Sequence, residues 1–143
     1  MSLQTIRVEV IKITSMLPAC LSNIVKYLMR SPYKGNEIQD LRKAQKYWEL
    51  FLENKSDHVK TLYTEEGKQY LEKLVQDAFK NKHSERDKAL QGNVAFIVGV
   101  AMGLRYDNQW FINSVNNYIN AYTNNRFESL YSTQKHLERC LNK

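Results

Sequence analysis

The chain is short of residues that make turns and cross-links, because its 143 residues include only 5 Gly, 2 Pro and 2 Cys. A many-stranded sandwich or barrel needs a turn signal about every 8–12 residues, so this composition argues against that class. Two cysteines cannot form a disulfide scaffold, which favours a cytoplasmic protein. The first residues also lack the charged and then apolar segments of a signal peptide.

Long hydrophobic runs are absent as well. The most apolar stretch, 94–104, is much shorter than the roughly 20 residues that span a bilayer. It therefore predicts a buried helix and no membrane partner. Ala95, Gly99 and Gly103 recur every fourth residue within it, which favours close packing in a soluble bundle, with a membrane-type dimer face as the alternative.

The excess of positive charge is modest and uneven. The chain has 21 Lys+Arg against 15 Asp+Glu and a net charge of +6, and residues 1–55 hold 9 of the basic and 5 of the acidic residues. This excess allows an acidic partner, such as a nucleotide or a nucleic acid, and the alternative is a soluble protein that carries the same charge without binding anything acidic.

Apolar residues recur at helical spacing along nearly the whole chain, which predicts an all-α bundle of six or seven helices with no sheet. Pro18 is typical of the first turn of a second helix. Asn36 with Gln39, and Ser84 with Asp87, resemble capping boxes for the third and fifth helices. The helices are predicted at about 6–17, 18–30, 36–55, 64–82, 84–106 and 109–122, with a last helix carrying Phe127, Leu130, Leu137 and Leu141.

The second predicted helix is polar along one stripe and apolar along the opposite one. Asn23, Lys26, Tyr27 and Arg30 follow the i, i+3, i+4, i+7 spacing of a single helix face. Lys and Arg side by side suit a phosphate, Tyr27 could stack on a base, and Asn23 could read its edge. The alternative is an ordinary solvated face of an amphipathic helix.

The third predicted helix carries a related set at Asp40, Lys43 and Tyr47, with the small Ala44 between them. Ala44 would let the second helix or a ligand approach closely. Asp40 could pair with Arg30 or Lys26, or could hold a magnesium ion.

These residues resemble a known family. The segments are Val8-Glu9-Val10-Ile11, Asn23-x-x-Lys26-Tyr27-x-x-Arg30, the basic residue Lys34, and Asp40-Leu41-x-Lys43-Ala44-x-x-Tyr47. They resemble a small phage-encoded domain of unknown function that also forms the C-terminal part of a coliphage nucleotide kinase without a P-loop. The family motif has Gly where this chain has Ser22, and its His-Pro-x-His-Tyr element is absent from the sequence.

The resemblance covers about residues 8–55 and implies a nucleotide- or phosphate-binding site. Its residues would be Asn23, Lys26, Tyr27, Arg30, Lys34, Asp40, Lys43 and Tyr47. Residues 1–56 would then form the kinase-like helical region, and 57–143 would supply additional helices packed with it in one compact domain. If the protein is an enzyme, the resemblance implies a nucleoside monophosphate kinase-like phosphotransferase that uses magnesium with its nucleotide.

Other signatures are missing from the chain. It has no G-x-x-x-x-G-K-[ST] phosphate loop, no zinc-type spacing of Cys and His, and no nucleophile elbow. Three hypotheses remain open: a phage or prophage protein that binds nucleoside phosphates, a non-enzymatic helical adaptor that binds another protein, and a nucleic-acid-binding module. A site on the polar stripe needs a cover from the third helix, the second half or another subunit, so the sequence also allows a homo-oligomer.

Overall fold

The computed structural model describes residues 3–33, 35–54 and 63–123, with side chains from residue 7 onward. These residues form the helices α1 (Leu3–Thr14), α2 (Ala19–Arg30), α3 (Glu37–Glu53), α4 (Glu65–Ala78), α5 (Glu85–Ala101) and α6 (Trp110–Thr123). They contain no strand, so the all-α prediction is confirmed. The predicted last helix and Lys34 lie outside the described residues.

The predicted capping pattern is confirmed at the start of α5 and differs from the structure at the starts of α3 and α2. Ser84 and Asp87 form the predicted capping box, with Asp87 N donating to Ser84 Oγ at 3.0 Å. Asn36 does occupy the N-cap position of α3, but its side chain makes no cap hydrogen bond, so the capping box predicted with Gln39 is wrong. Pro18 is the N-cap of α2 and not a residue of its first turn.

The apolar run forms the buried half of α5, where Val94, Ile97 and Val98 are at most 2% exposed. The small-residue stripe ends before Gly103, which follows the helix with a φ of 85°. Its N–H donates to the Val100 carbonyl and that of Leu104 to the Gly99 carbonyl, both at 3.0 Å. This pair of bonds is a Schellman motif, so Gly103 ends the helix and does not extend its packing face.

The core is built where the early helices meet the late ones. Helix α2 packs mainly on α3 and also on α5, α1 packs on α2 and α4, and α6 packs on α3 and α5. Trp48 of α3 is fully buried, and its Nε1 donates to the Asn108 carbonyl at 3.1 Å. Its ring centroid lies between 5.3 and 5.5 Å from those of Phe51, Phe96, Tyr106 and Phe111. Aromatic rings therefore join α3, α5 and α6 in the core.

No helix in the described ranges has both the length and the hydropathy needed to cross a membrane.

Candidate functional site

The polar stripe of α2 faces α3. The opposite stripe of α2 supplies Leu21, Ile24, Val25 and Leu28, all at most 2% exposed, and their burial fixes the rotation of the helix. With that face in the core, Tyr27 and Arg30 meet α3 beside it. The next helix along the chain thus covers this polar stripe at Tyr27 and Arg30, whereas Lys26 is exposed.

Asp40 and Arg30 form a bidentate ion pair. Arg30 Nε donates to Asp40 Oδ2 at 3.3 Å, and Nη2 donates to Oδ1 at 3.1 Å. The side chain of Asp40 is 2% exposed and that of Arg30 is 30% exposed. Of the three arrangements that the sequence allowed for Asp40, the structure contains the pair with Arg30, which a planar guanidinium forms with both carboxylate oxygens.

Tyr27 lies at the centre of the remaining predicted residues. Its ring stacks on that of Tyr47, with centroids 5.7 Å apart and an interplanar angle of 19°. Three cations lie over the same ring: Arg30 Cζ at 4.8 Å, Lys43 Nζ at 5.3 Å and Lys26 Nζ at 5.7 Å from its centroid. These distances are within the range of cation–π attraction. We call this group, Lys26, Tyr27, Arg30, Asp40, Lys43 and Tyr47, the Tyr27 cluster.

The Tyr27 cluster carries more positive than negative charge. It contains three cations and one carboxylate, that of Asp40, which is bound to Arg30. Within the described part of the chain, no carboxylate oxygen of an Asp or Glu lies within 4 Å of the ammonium nitrogen of Lys26 or Lys43. Lys26 is exposed and Lys43 is half-buried. The two ammonium groups are therefore placed to bind an anion from solvent.

Of the other two predicted site residues, Asn23 is not part of this cluster, and Lys34 is outside the residues that the structure describes. Asn23 is half-buried one turn before Tyr27 on α2, and its side chain makes no hydrogen bond to other described residues. Lys34 follows Tyr33 outside the described ranges. The structure thus brings together six of the eight residues that the motif suggested.

A metal ion bound by protein ligands alone does not fit the Tyr27 cluster. Both oxygens of Asp40 are occupied by Arg30. The described residues also contain no group of three or more His, Cys, Asp or Glu side chains that could hold a metal. Magnesium at this site would have to arrive with the phosphates of a nucleotide.

A second polar cluster was not predicted from the sequence. It comprises Glu9, Tyr33, Lys82, Arg86, Asp87, Tyr118 and Tyr122, and we call it the Arg86 cluster. Lys82 Nζ lies 4.0 Å from Glu9 Oε2, and Arg86 Nη2 lies 4.0 Å from Asp87 Oδ1, with all four side chains at most 22% exposed. Burial raises the pKa of Tyr33, Tyr118 and Tyr122. One feature of the sequence could have indicated this cluster. Arg86 lies in helical register with the core residues Leu90 and Val94, which places it on the buried face of α5.

The first part of the chain matches a known family of proteins. Residues 3–49 match the sequence profile of a family described as a protein of unknown function (DUF3310). The matched segment contains α1, α2 and most of α3, and with them every residue of the Tyr27 cluster. No curated protein and no solved structure matches the chain.

Proposed function

We propose that the Tyr27 cluster binds the phosphate group of a nucleoside phosphate. The observation that carries the proposal is the grouping of three cations over one tyrosine ring, with a single carboxylate among them. Like charges held together repel one another unless an anion balances them. A phosphate dianion is a ligand of the right charge for two ammonium groups.

The cations of the cluster have different roles in this proposal. Arg30 is held by Asp40 and adds a fixed positive charge at the side of the site. Lys26 and Lys43 make the direct contacts, because an ammonium on a flexible stem can follow a phosphate oxygen. Tyr27 and Tyr47 form the apolar wall behind them.

The sequence resemblance extends the proposal to origin and activity. It supports a phage or prophage protein related to the nucleotide kinase that lacks a P-loop. Phosphoryl transfer requires mainly positioning and charge stabilisation, which a cluster of Lys and Arg can supply without a phosphate loop. Magnesium would come bound to the donor triphosphate. Lys34 and Asn23 belong to the proposed site through the same resemblance.

A thermal-shift screen tests the binding proposal. The protein is heated with nucleoside mono- and triphosphates, with and without magnesium, and with the corresponding nucleosides as controls. Nucleotides are expected to raise the melting temperature in a concentration-dependent way, and nucleosides are not, because only a ligand that binds the folded state stabilises it.

The absence of stabilisation by every nucleotide would contradict the proposal. Binding of single-stranded DNA with a steep salt dependence, but of no mononucleotide, would favour the nucleic-acid-binding alternative. Formation of a nucleoside diphosphate from a monophosphate and a triphosphate would support the kinase extension.

A further inference from the structure

Four side chains already lie against the Tyr27 ring, those of Tyr47, Arg30, Lys43 and Lys26. Tyr47 stacks on the ring, and the guanidinium of Arg30 lies over it at 4.8 Å from its centroid. Arg30 cannot easily leave this place, because Asp40 holds it by two hydrogen bonds and is itself almost completely buried. A base stacked on Tyr27 would compete with Tyr47 and Arg30 for the ring.

Moving either group would break contacts that hold α2 to α3. Separating Tyr47 from Tyr27 would open an aromatic stack between the two helices. Displacing Arg30 would leave the carboxylate of Asp40 buried without its cation, which is a costly state for a charge. The two rings therefore belong to the packing between α2 and α3. The ammonium groups of Lys26 and Lys43, in contrast, have no carboxylate partner among the described residues.

From this geometry we infer that the site recognises its ligand by the phosphate and does not stack the base on Tyr27. The inference rests on the proposed function and specifies its ligand class. The ligands are phosphomonoesters, including sugar phosphates that carry no base. The tyrosines serve as the wall and spacer that hold the cations in place, and they are not a platform for a base.

Calorimetric titration of the full-length protein with a graded set of compounds tests the inference. The set is deoxyadenosine and deoxycytidine monophosphates, ribose 5-phosphate, and the two free deoxynucleosides. Stacking of a base on an aromatic side chain is worth about 5- to 150-fold in affinity. We expect the three phosphate compounds to bind within about fivefold of one another, since no such stack forms, and the free nucleosides not to bind.

Failure of this inference and failure of the proposed phosphate binding would give different results. Binding of a nucleotide more than about fivefold tighter than ribose 5-phosphate, or measurable binding of a free nucleoside, would overturn the inference and leave phosphate binding in place. If none of the phosphate compounds binds, the proposed function itself fails.

Discussion

At the scale of single residues, Asp40 determines how the Tyr27 cluster is arranged. Its carboxylate is 98% buried and accepts two hydrogen bonds from Arg30, which in turn lies over the ring of Tyr27. The sequence predicted that these residues lie close together, because helical spacing puts them on facing stripes. It could not choose Arg30 over Lys26 as the partner, since that choice depends on how α2 and α3 are rotated in the folded protein.

Replacing Asp40 with asparagine is expected to lower the free energy of unfolding by about 1–2 kcal/mol. The substitution keeps the shape of the side chain but removes the charge that Arg30 binds, and the partial exposure of Arg30 limits the loss. Urea unfolding measures the effect. Lys88→Gln is the control, because the pair between Lys88 and Glu85 is exposed, and it should change stability by less than about 0.5 kcal/mol. Equal effects of the two substitutions would contradict the stabilising role assigned to the Asp40–Arg30 pair.

Tyr118 makes stability depend on pH in the alkaline range. Burial raises its pKa above the ordinary value of 10.0, so the folded chain keeps a proton that the unfolded chain releases. The stabilisation is therefore complete below pH 10 and is lost as the pH rises above it, by up to about 1.4 kcal/mol per pH unit for each such group.

Urea unfolding between pH 9 and pH 11 measures this dependence. Tyr118→Phe is expected to give a shallower loss of stability than the unsubstituted protein. Tyr70→Phe serves as the matched control, because Tyr70 is 54% exposed, and it should leave the slope unchanged. A slope that Tyr118→Phe does not alter would show that other groups cause the loss.

At the scale of helices, local sequence rules predicted the elements better than their ends. The apolar period identified all six helices of the described residues, and the Ser84 capping box was correct. Asn36 was assigned a capping bond that it does not make, because residue type allows such a bond and only the local backbone decides whether it forms. Gly103 was placed on a packing stripe, although its backbone turns the chain out of α5.

Two glycines of the α5 region should respond in opposite ways to alanine. Gly103→Ala is expected to cost about 1 kcal/mol, because a Cβ is strained at a φ of 85°. Gly92→Ala should raise stability by about 0.5–1 kcal/mol, since Gly92 lies inside the helix and an added Cβ would meet nothing within 4 Å. Thermal unfolding compares the two. Stabilisation by Gly103→Ala would contradict the Schellman assignment.

The two cap residues offer a similar comparison. Ser84→Ala should cost about 1 kcal/mol, because the Ser84 side chain accepts the bond from the backbone N–H of Asp87. Asn36→Ala should cost clearly less, because the Asn36 side chain accepts no such bond. Urea midpoints of both variants measure the difference, and a larger loss at Asn36 would show that its amide caps α3 in solution.

At the scale of the whole molecule, the late helices hold the early ones in place. Arg42 and Gln45 of α3 both donate to Asn116 of α6, at 2.9 and 2.8 Å, and Trp48 packs against rings of α5 and α6. The Arg86 cluster likewise joins residues from distant parts of the chain. Helical periodicity carries no information on such pairings, because it reports which face of a helix is buried and not what buries it. The α2–α3 pair was predictable because its two helices are neighbours in sequence and share a motif.

The most direct test of the Tyr27 cluster is the affinity for deoxyadenosine monophosphate, measured by calorimetry in three proteins. These are the unsubstituted chain, the double variant Lys26→Ala/Lys43→Ala, and Lys46→Ala as the control, which removes an exposed lysine of α3 outside the cluster. We expect the double variant to stay folded and to lose affinity by about tenfold or more, because charge-assisted contacts are removed, and we expect Lys46→Ala to bind as before. A double variant that binds as tightly as the unsubstituted chain would contradict the proposed phosphate binding.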